Sequence, residues 1–274
     1  MIIEAFTWAF SRAVKGARQA GLVQEVAAIA GKYQRNKKAW QPHLEQTRAA
    51  INAAIKEADP AEPILILGSG LGLDLPLQTL NDHPTGALLF DAVKPPQLAA
   101  KLKQYPNIKF ELRDVTGLLE ELCSNFSSKK ISLPTSAPLP LKGFSLAISV
   151  NMLSQIPLSF SNSPPEGDAE IRMMTAIQKA HIMTLKAMGF TILLISDYER
   201  HEYKDDGIEV ITTVACPLWP GKPVNEWDWY ITPSGESRNG QTTILKVGVW
   251  KIPAELAMAL NESTTQGSQS SSII

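Results

Sequence analysis

The chain predicts an α/β fold, a doubly wound and mostly parallel sheet with helices ahead of it and an antiparallel addition behind it. Three observations predict it. Apolar runs at 64–67, 87–90, 108–112 and 144–150 alternate with stretches of helical spacing, as buried parallel strands joined by crossover helices require. Each run ends on glycine or a polar residue: Gly68, Asp91, Arg113-Asp114 and Asn151. Open α/β sheets bind ligands along that carboxyl edge. The first run breaks into Gly68-Ser69-Gly70-Leu71-Gly72, a turn expected to open a helix whose backbone N–H groups face a negatively charged ligand.

The glycine spacing is G-x-G-x-G. A dinucleotide fingerprint needs G-x-G-x-x-G, and Leu73 occupies its third glycine slot. Glycine in a strand-to-helix turn also serves geometry alone. The next acid narrows the reading. Asp91 stands nineteen positions after Gly72, at the end of the second run, where a carboxylate accepts both hydroxyls of a ribose. Arg113 to Thr116 then fall at the edge of the third strand, within reach of an adenine.

On these residues the chain resembles the class I S-adenosylmethionine-dependent methyltransferases over roughly residues 60 to 197, without matching any one substrate subfamily. The resemblance implies a Rossmann-like methyltransferase fold and S-adenosylmethionine as cofactor. It implies that Gly68, Ser69, Gly70 and Gly72 face the methionine part. Asp91 would hold the ribose, Asp114 and Val115 the adenine, and Asn151 the floor near the methyl group. Two departures stand out. The family often carries an acid two positions before the first glycine, where this chain has Ile66; Asp74 is the acid that could substitute. Asn151-Met152-Leu153-Ser154 replaces the Asn/Asp-Pro-Pro-aromatic motif of nucleic-acid amino methylases.

The 274 residues suffice for a sizeable core. Hydrophobic residues at 44% and charged residues at 19% describe an ordinary globular chain. Cys123 and Cys216 form neither a disulfide framework nor a zinc motif, which suits a reducing, cytoplasmic setting. No run reaches the roughly 20 apolar residues that span a bilayer, so no membrane partner is expected. Residues 1 to 57 hold nine Lys/Arg against four Asp/Glu. That excess fits solvated helix faces better than a nucleic-acid surface.

Three helices are expected ahead of the sheet. The first runs over 2–20 with Phe6 and Phe10 on its buried stripe, the second from Leu22 past Tyr33, and the third from Pro42 with Leu44, Thr47, Ile51 and Ile55 inward. They make residues 1–59 a helical cap on a domain at 60–260, followed by a Ser/Thr/Gln-rich, disordered tail at 261–274. Two Ser/Pro-rich stretches, 124–142 and 159–165, read as surface loops. The segment at 217–236 carries Trp219, Trp227 and Trp229, walling a pocket or plugging a sheet edge.

The fifth strand, at 190–196, ends beside Asp197 and Glu199. Either could be the general base, or the pair could belong to a polar turn. Trp40, His43 and Trp229 are the candidate acceptor contacts, expected to converge with Glu199 above the glycine turn. The function expected is methyl transfer to a small-molecule acceptor. An NAD(P)-dependent oxidoreductase and a non-catalytic methyltransferase-like binding protein are the rivals.

Overall fold

The computed structural model describes residues 1–117, 119, 143–157, 168–204, 207–217, 221–237 and 240–255. The Ser/Pro-rich stretches at 124–142 and 159–165, Trp219, Cys123 and the tail lie outside these residues.

Strands β2 (Ile64–Leu67), β3 (Ala87–Asp91), β5 (Ile108–Leu112), β6 (Leu146–Val150) and β7 (Thr191–Lys204) run parallel. The sheet order is β5-β3-β2-β6-β7-β10-β9, with β9 (Asn225–Thr232) and β10 (Thr242–Ile252) antiparallel at one side. Strand β8 (Gly207–Thr212) folds back along the far end of β7. The chain moves outward from β2 to β5, then returns to β6 on β2's other side. The topological switch point, where such sheets form a crevice, therefore lies between β2 and β6. This is the doubly wound, mostly parallel sheet expected above. The antiparallel addition is continuous with the sheet.

The two sheet faces bury different clusters. Helix α2 (Leu22–Glu57) and the short α3 (Leu77–Asp82) cover one, where Trp40, Ile51, Ile55, Leu77 and Leu80 meet Ile64, Ile66, Leu89, Ile148, Ile195 and Val247. Helix α6 (Asp168–Ala187) covers the other, where Ile182 and Leu185 join Leu65, Leu67, Phe90, Ile192 and Trp250. Between β6 and α6 the chain makes one further turn of helix, α5 (Met152–Gln155).

The N-terminus departs from expectation. Helix α1 spans only Ile2–Phe10, and Phe6 and Phe10 are 47% and 64% exposed. Ser11 Oγ donates to Thr7 O, and Arg18 donates to the carbonyls of Trp8 and Ser11, so the last turn is capped early. Strand β1 (Arg12–Ala13) then pairs with β4 (Val93–Lys94), a contact between distant segments that local spacing does not reveal. The second and third expected helices run on as α2, two helical segments joined across a kink that falls earlier than Pro42. In α2 the break falls at Asn36 (φ −117°), whose Nδ2 donates to Lys32 O. Pro42, which lacks an N–H for the ladder, sits inside the helix six residues later.

The glycine turn does not open directly into a helix. The chain stays irregular to Pro76, and α3 starts at Leu77. Proline disfavours helical geometry in the residue before it, so Leu75 cannot begin one. The segment at 225–232, read as a wall or plug, is the edge strand β9. Among the described residues no helix is long and apolar enough to cross a membrane.

Candidate functional site

Gly68, Gly70 and Gly72 have φ of +80°, +47° and +62°, the left-handed region that side chains rarely tolerate. Gly68 is also hemmed in: a Cβ there would lie 2.9 Å from Val150 O and 2.4 Å from Met152 Cγ. Gly70 differs, because a Cβ there would meet nothing within 4 Å among the described residues. Open space thus faces the middle of the turn. The turn is braced from behind by two cations. Arg48 of α2 donates through Nε to Leu73 O at 3.0 Å and through Nη2 to the same carbonyl, and Lys101 of α4 (Pro96–Leu102) donates to Leu71 O at 3.3 Å.

Asp91 stands at the end of β3 and ties itself to this turn. Its Oδ2 accepts from Gly70 N at 2.8 Å and Ser69 Oγ at 3.3 Å, and its Oδ1 accepts from Val93 N at 3.1 Å. Burial raises its carboxyl above the ordinary value, against the lowering pull of those donors. Asp114, at the edge of β5, accepts from Thr116 N and Oγ1 at 2.8 and 2.6 Å and from Leu119 N at 2.9 Å. Its carboxylate shapes a turn. The Val115 side chain is in the core with Leu67 and Phe90, which leaves its backbone to border the edge.

Asn151 follows β6 in the left-handed conformation (φ +54°), its N–H donating to Ile195 O at 2.8 Å. Its Oδ1 is buried with no partner among the described residues. One turn of helix on, Ser154 Oγ donates to Asp197 Oδ1 at 2.5 Å and lies 3.3 Å from Asn151 O. Asp197 is 5% exposed. Burial raises its carboxyl, and the Ser154 hydrogen bond opposes that.

Glu199 is elsewhere. Val247 pairs with Asp197 and Lys246 with Glu199, so Tyr198 is the extra residue of a β-bulge. The bulge reverses the alternation and turns Glu199 to the other sheet face, where its Oε2 sits 3.0 Å from His201 Nε2.

Trp40, His43 and Trp229 do come together. Trp40 meets Trp229 edge-on, with centroids 5.0 Å apart at 83°, and its Nε1 donates to Ile231 O. His43 stacks on Trp229 at 4.0 Å and 5°. Trp227 Nε1 donates to His43 Nδ1 at 3.0 Å. Because an indole nitrogen only donates, Nδ1 must be the acceptor and Nε2 carries the proton. Burial holds the His43 pKa down to about 3, so the ring is neutral. Its Nε2 lies 3.8 Å from Asp74 Oδ1, two residues past Gly72. Cross-strand register puts Trp227 opposite Val247, which lies opposite Asp197. These side chains share the α2 face of the sheet.

Sequence reasoning missed the parts played by Trp227, Ser154, Arg48 and Lys101. Only Ser154 left a local signal, its position one helical turn after Asn151. Among the described residues no cluster of His, Cys, Asp and Glu could hold a metal ion.

The residues present fit a nucleoside-bearing cofactor. Space lies in front of Gly70. Asn151 Oδ1, His43 Nε2 and Trp229 Nε1 are buried with no partner among the described residues, and such atoms carry a cost until a ligand satisfies them.

No family model matches the chain, and no curated protein matches it in sequence. Similar solved structures include a DhpI–SAM–HEP complex, at 10% identity and TM-score 0.39, covering 84% of this chain and 97% of that one. Another is the Burkholderia thailandensis 1,6-didemethyltoxoflavin-N1-methyltransferase with 1,6-didemethyltoxoflavin and S-adenosylhomocysteine, at 13% identity and TM-score 0.39, covering 87% and 91%. A third is the sugar N-methyltransferase KedS8 from a Streptoalloteichus species, at 11% identity and TM-score 0.35, covering 78% and 92%. Likeness this loose brings no residue role or substrate across.

Proposed function

We propose that this chain transfers a methyl group from S-adenosylmethionine to a small-molecule acceptor. The observation that carries the reading is the Gly68–Gly72 turn at the switch point, open in front of Gly70 and tied through Gly70 N–H to Asp91. The sheet argues against a nicotinamide dinucleotide. That cofactor is held by two mononucleotide-binding halves in strand order 3-2-1-4-5-6. Here the second half ends in the antiparallel β9–β10 hairpin.

In this reading Asp91 binds the ribose while bracing the turn, and the Asp114–Thr116 turn with the Val115 backbone frames the adenine. Asn151 forms the floor below the transferred group. Trp40, His43 and Trp229 wall the acceptor side. S-adenosylmethionine supplies a methyl carbon made electrophilic by its sulfonium. The acceptor's nitrogen or oxygen bonds to that carbon as the carbon–sulfur bond breaks, and Asp197 takes the proton the acceptor loses. Ser154 donates to Asp197 Oδ1 and orients the carboxylate. A nucleic-acid partner is not favoured, because Lys32 donates to Thr232, Arg35 pairs with Glu4 and Glu236, and Arg48 is spent on Leu73.

Incubation with methyl-labelled S-adenosylmethionine and panels of amines and hydroxyl compounds tests this. Label recovered in a small molecule, with equimolar S-adenosylhomocysteine, is the expected result. Cofactor binding with no label leaving in any panel would favour the non-catalytic reading.

A further inference from the structure

A cleft of about 390 Å³ opens behind the glycine turn, between α2, α3 and α4. That volume is within the range of small-molecule sites. Among the described residues only Gly72 of the turn lines it, so it lies apart from the crevice in front of Gly70. Leu75, Leu77 and Tyr105 give it an apolar wall, and Arg48 and Lys101 bring two cations into it. Neither cation has a carboxylate within 4 Å among the described residues. Asp74, whose charge acts on both, has His43 as its partner at 3.8 Å. One acid against two cations leaves a positive charge uncompensated. Burial, and after it the charge of Arg48, hold the Lys101 ammonium below its ordinary value, and Asp74 opposes them. Each cation also has donors to spare. Arg48 engages Nε and Nη2 on Leu73 O, and Lys101 donates to Leu71 O. A guanidinium has five N–H donors and an ammonium three. Arg48 Nη1 and two ammonium hydrogens therefore have no acceptor among the described residues.

We propose that this cleft is a second ligand site, which takes a small organic anion with an apolar body, an aryl carboxylate or aryl phosphate. The anionic group sits between Arg48 Nη1 and the Lys101 ammonium, where charge-assisted hydrogen bonds are the strong ones. The apolar body lies along Leu75, Leu77 and Tyr105. Both cations can hold the anion without releasing Leu73 O and Leu71 O. A bound anion therefore fixes the two side chains that brace the turn, and the braced turn favours the nucleoside on its other side. Linkage makes the effect mutual, so the nucleoside favours the anion by the same factor. This coupling rests on the proposed function; the site itself does not.

Calorimetric titration of the full chain with benzoate and with phenyl phosphate, beside neutral benzamide, tests the site. Saturable binding of at least one anion at millimolar concentration is expected, with none of benzamide. Lys101→Gln removes the charge and keeps a donor for Leu71 O, and it should weaken the anion by about 10-fold or more. Gln104→Glu is an independent check. Gln104 is exposed on the rim of the cleft, so a carboxylate there should repel the anion without lowering the melting temperature. No saturation by either anion, benzamide binding as tightly, or both variants binding like the wild type would overturn the site. A saturating anion should also tighten S-adenosylhomocysteine by about fivefold or more. An unchanged affinity would overturn the coupling and leave the site standing. Should the wild type bind no S-adenosylhomocysteine at all, the proposed function fails by itself, and the anion titrations still decide the site.

Discussion

Asp197 and Glu199 stand on opposite faces of the sheet, although a regular strand would point residues two apart the same way. The Tyr198 bulge separates them. Asp197 faces the crevice beside Ser154, and Glu199 faces His201. With any acceptor that turns over, Asp197→Asn should lower kcat by about 10²- to 10⁴-fold, the usual contribution of a general base. Glu199→Gln should stay within roughly threefold of wild type, since Glu199 faces away from the crevice toward His201. Initial rates of S-adenosylhomocysteine formation check both. The opposite ranking would move the base to the other face.

Asp91 has two tasks, so its removal should show twice. Asp91→Ala leaves Gly70 N–H and Val93 N–H without their acceptor, a cost of about 1–3 kcal/mol for each group that stays buried. It also deletes the ribose contact. Thermal melts and S-adenosylhomocysteine titrations should both register a loss. Weaker binding with an unchanged melt would mean that other groups hold the turn.

The glycines should separate by space. Gly68→Ala places a Cβ 2.9 Å from a backbone oxygen and should destabilise the fold. Gly70→Ala is strained by its positive φ, by about 1–2 kcal/mol, yet clashes with none of the described residues. Its methyl group projects into the open space of the crevice, so the variant should fold and lose the nucleoside. Circular dichroism with a binding titration tells the two apart.

Stability should depend on pH in a definite direction. Burial holds His43 at about 3 and His181 at about 4, below the free value of 6.5. Their contribution is complete above pH 6.5 and is lost as pH falls through those values, at about 1.4 kcal/mol for each pH unit between the free and the buried value. His181 Nε2 sits 3.0 Å from Ser149 Oγ, so His181→Gln can keep that bond and should flatten the loss between pH 6.5 and 4. Asp74 has the opposite sign. Raised to about 6, it contributes stability below its free value of 3.8, lost as pH rises through 6. Asp74→Asn should therefore stabilise the ligand-free protein above pH 6, by up to roughly 3 kcal/mol. Urea titrations across this range measure both effects.

What local sequence could show is what local physics decides. The strands Ile64–Leu67 and Leu146–Val150 are buried throughout because both faces are covered, and their abrupt ends named Gly68 and Asn151. The inward stripe Leu44, Thr47, Ile51, Ile55 repeats at helical spacing and is buried as expected. The hidden features depend on partners far along the chain. Helix α1 stops at Ser11 because β1 must reach β4. Strand β9 is masked by tryptophans that serve α2, and its Trp227 is 184 positions from the histidine it fixes. The Tyr198 bulge exists only in the pairing with β10. Nothing near Asp197 or Glu199 announces it.

The central claim is that the open space before Gly70 receives a sulfur nucleoside. Calorimetric titration of the wild-type protein with S-adenosylhomocysteine, run beside NAD+ and NADH, tests it most directly. Saturable binding of S-adenosylhomocysteine near one equivalent is expected, with no heat from either dinucleotide. Saturable binding of NAD+ or NADH, with no response to the sulfur nucleoside, would contradict it.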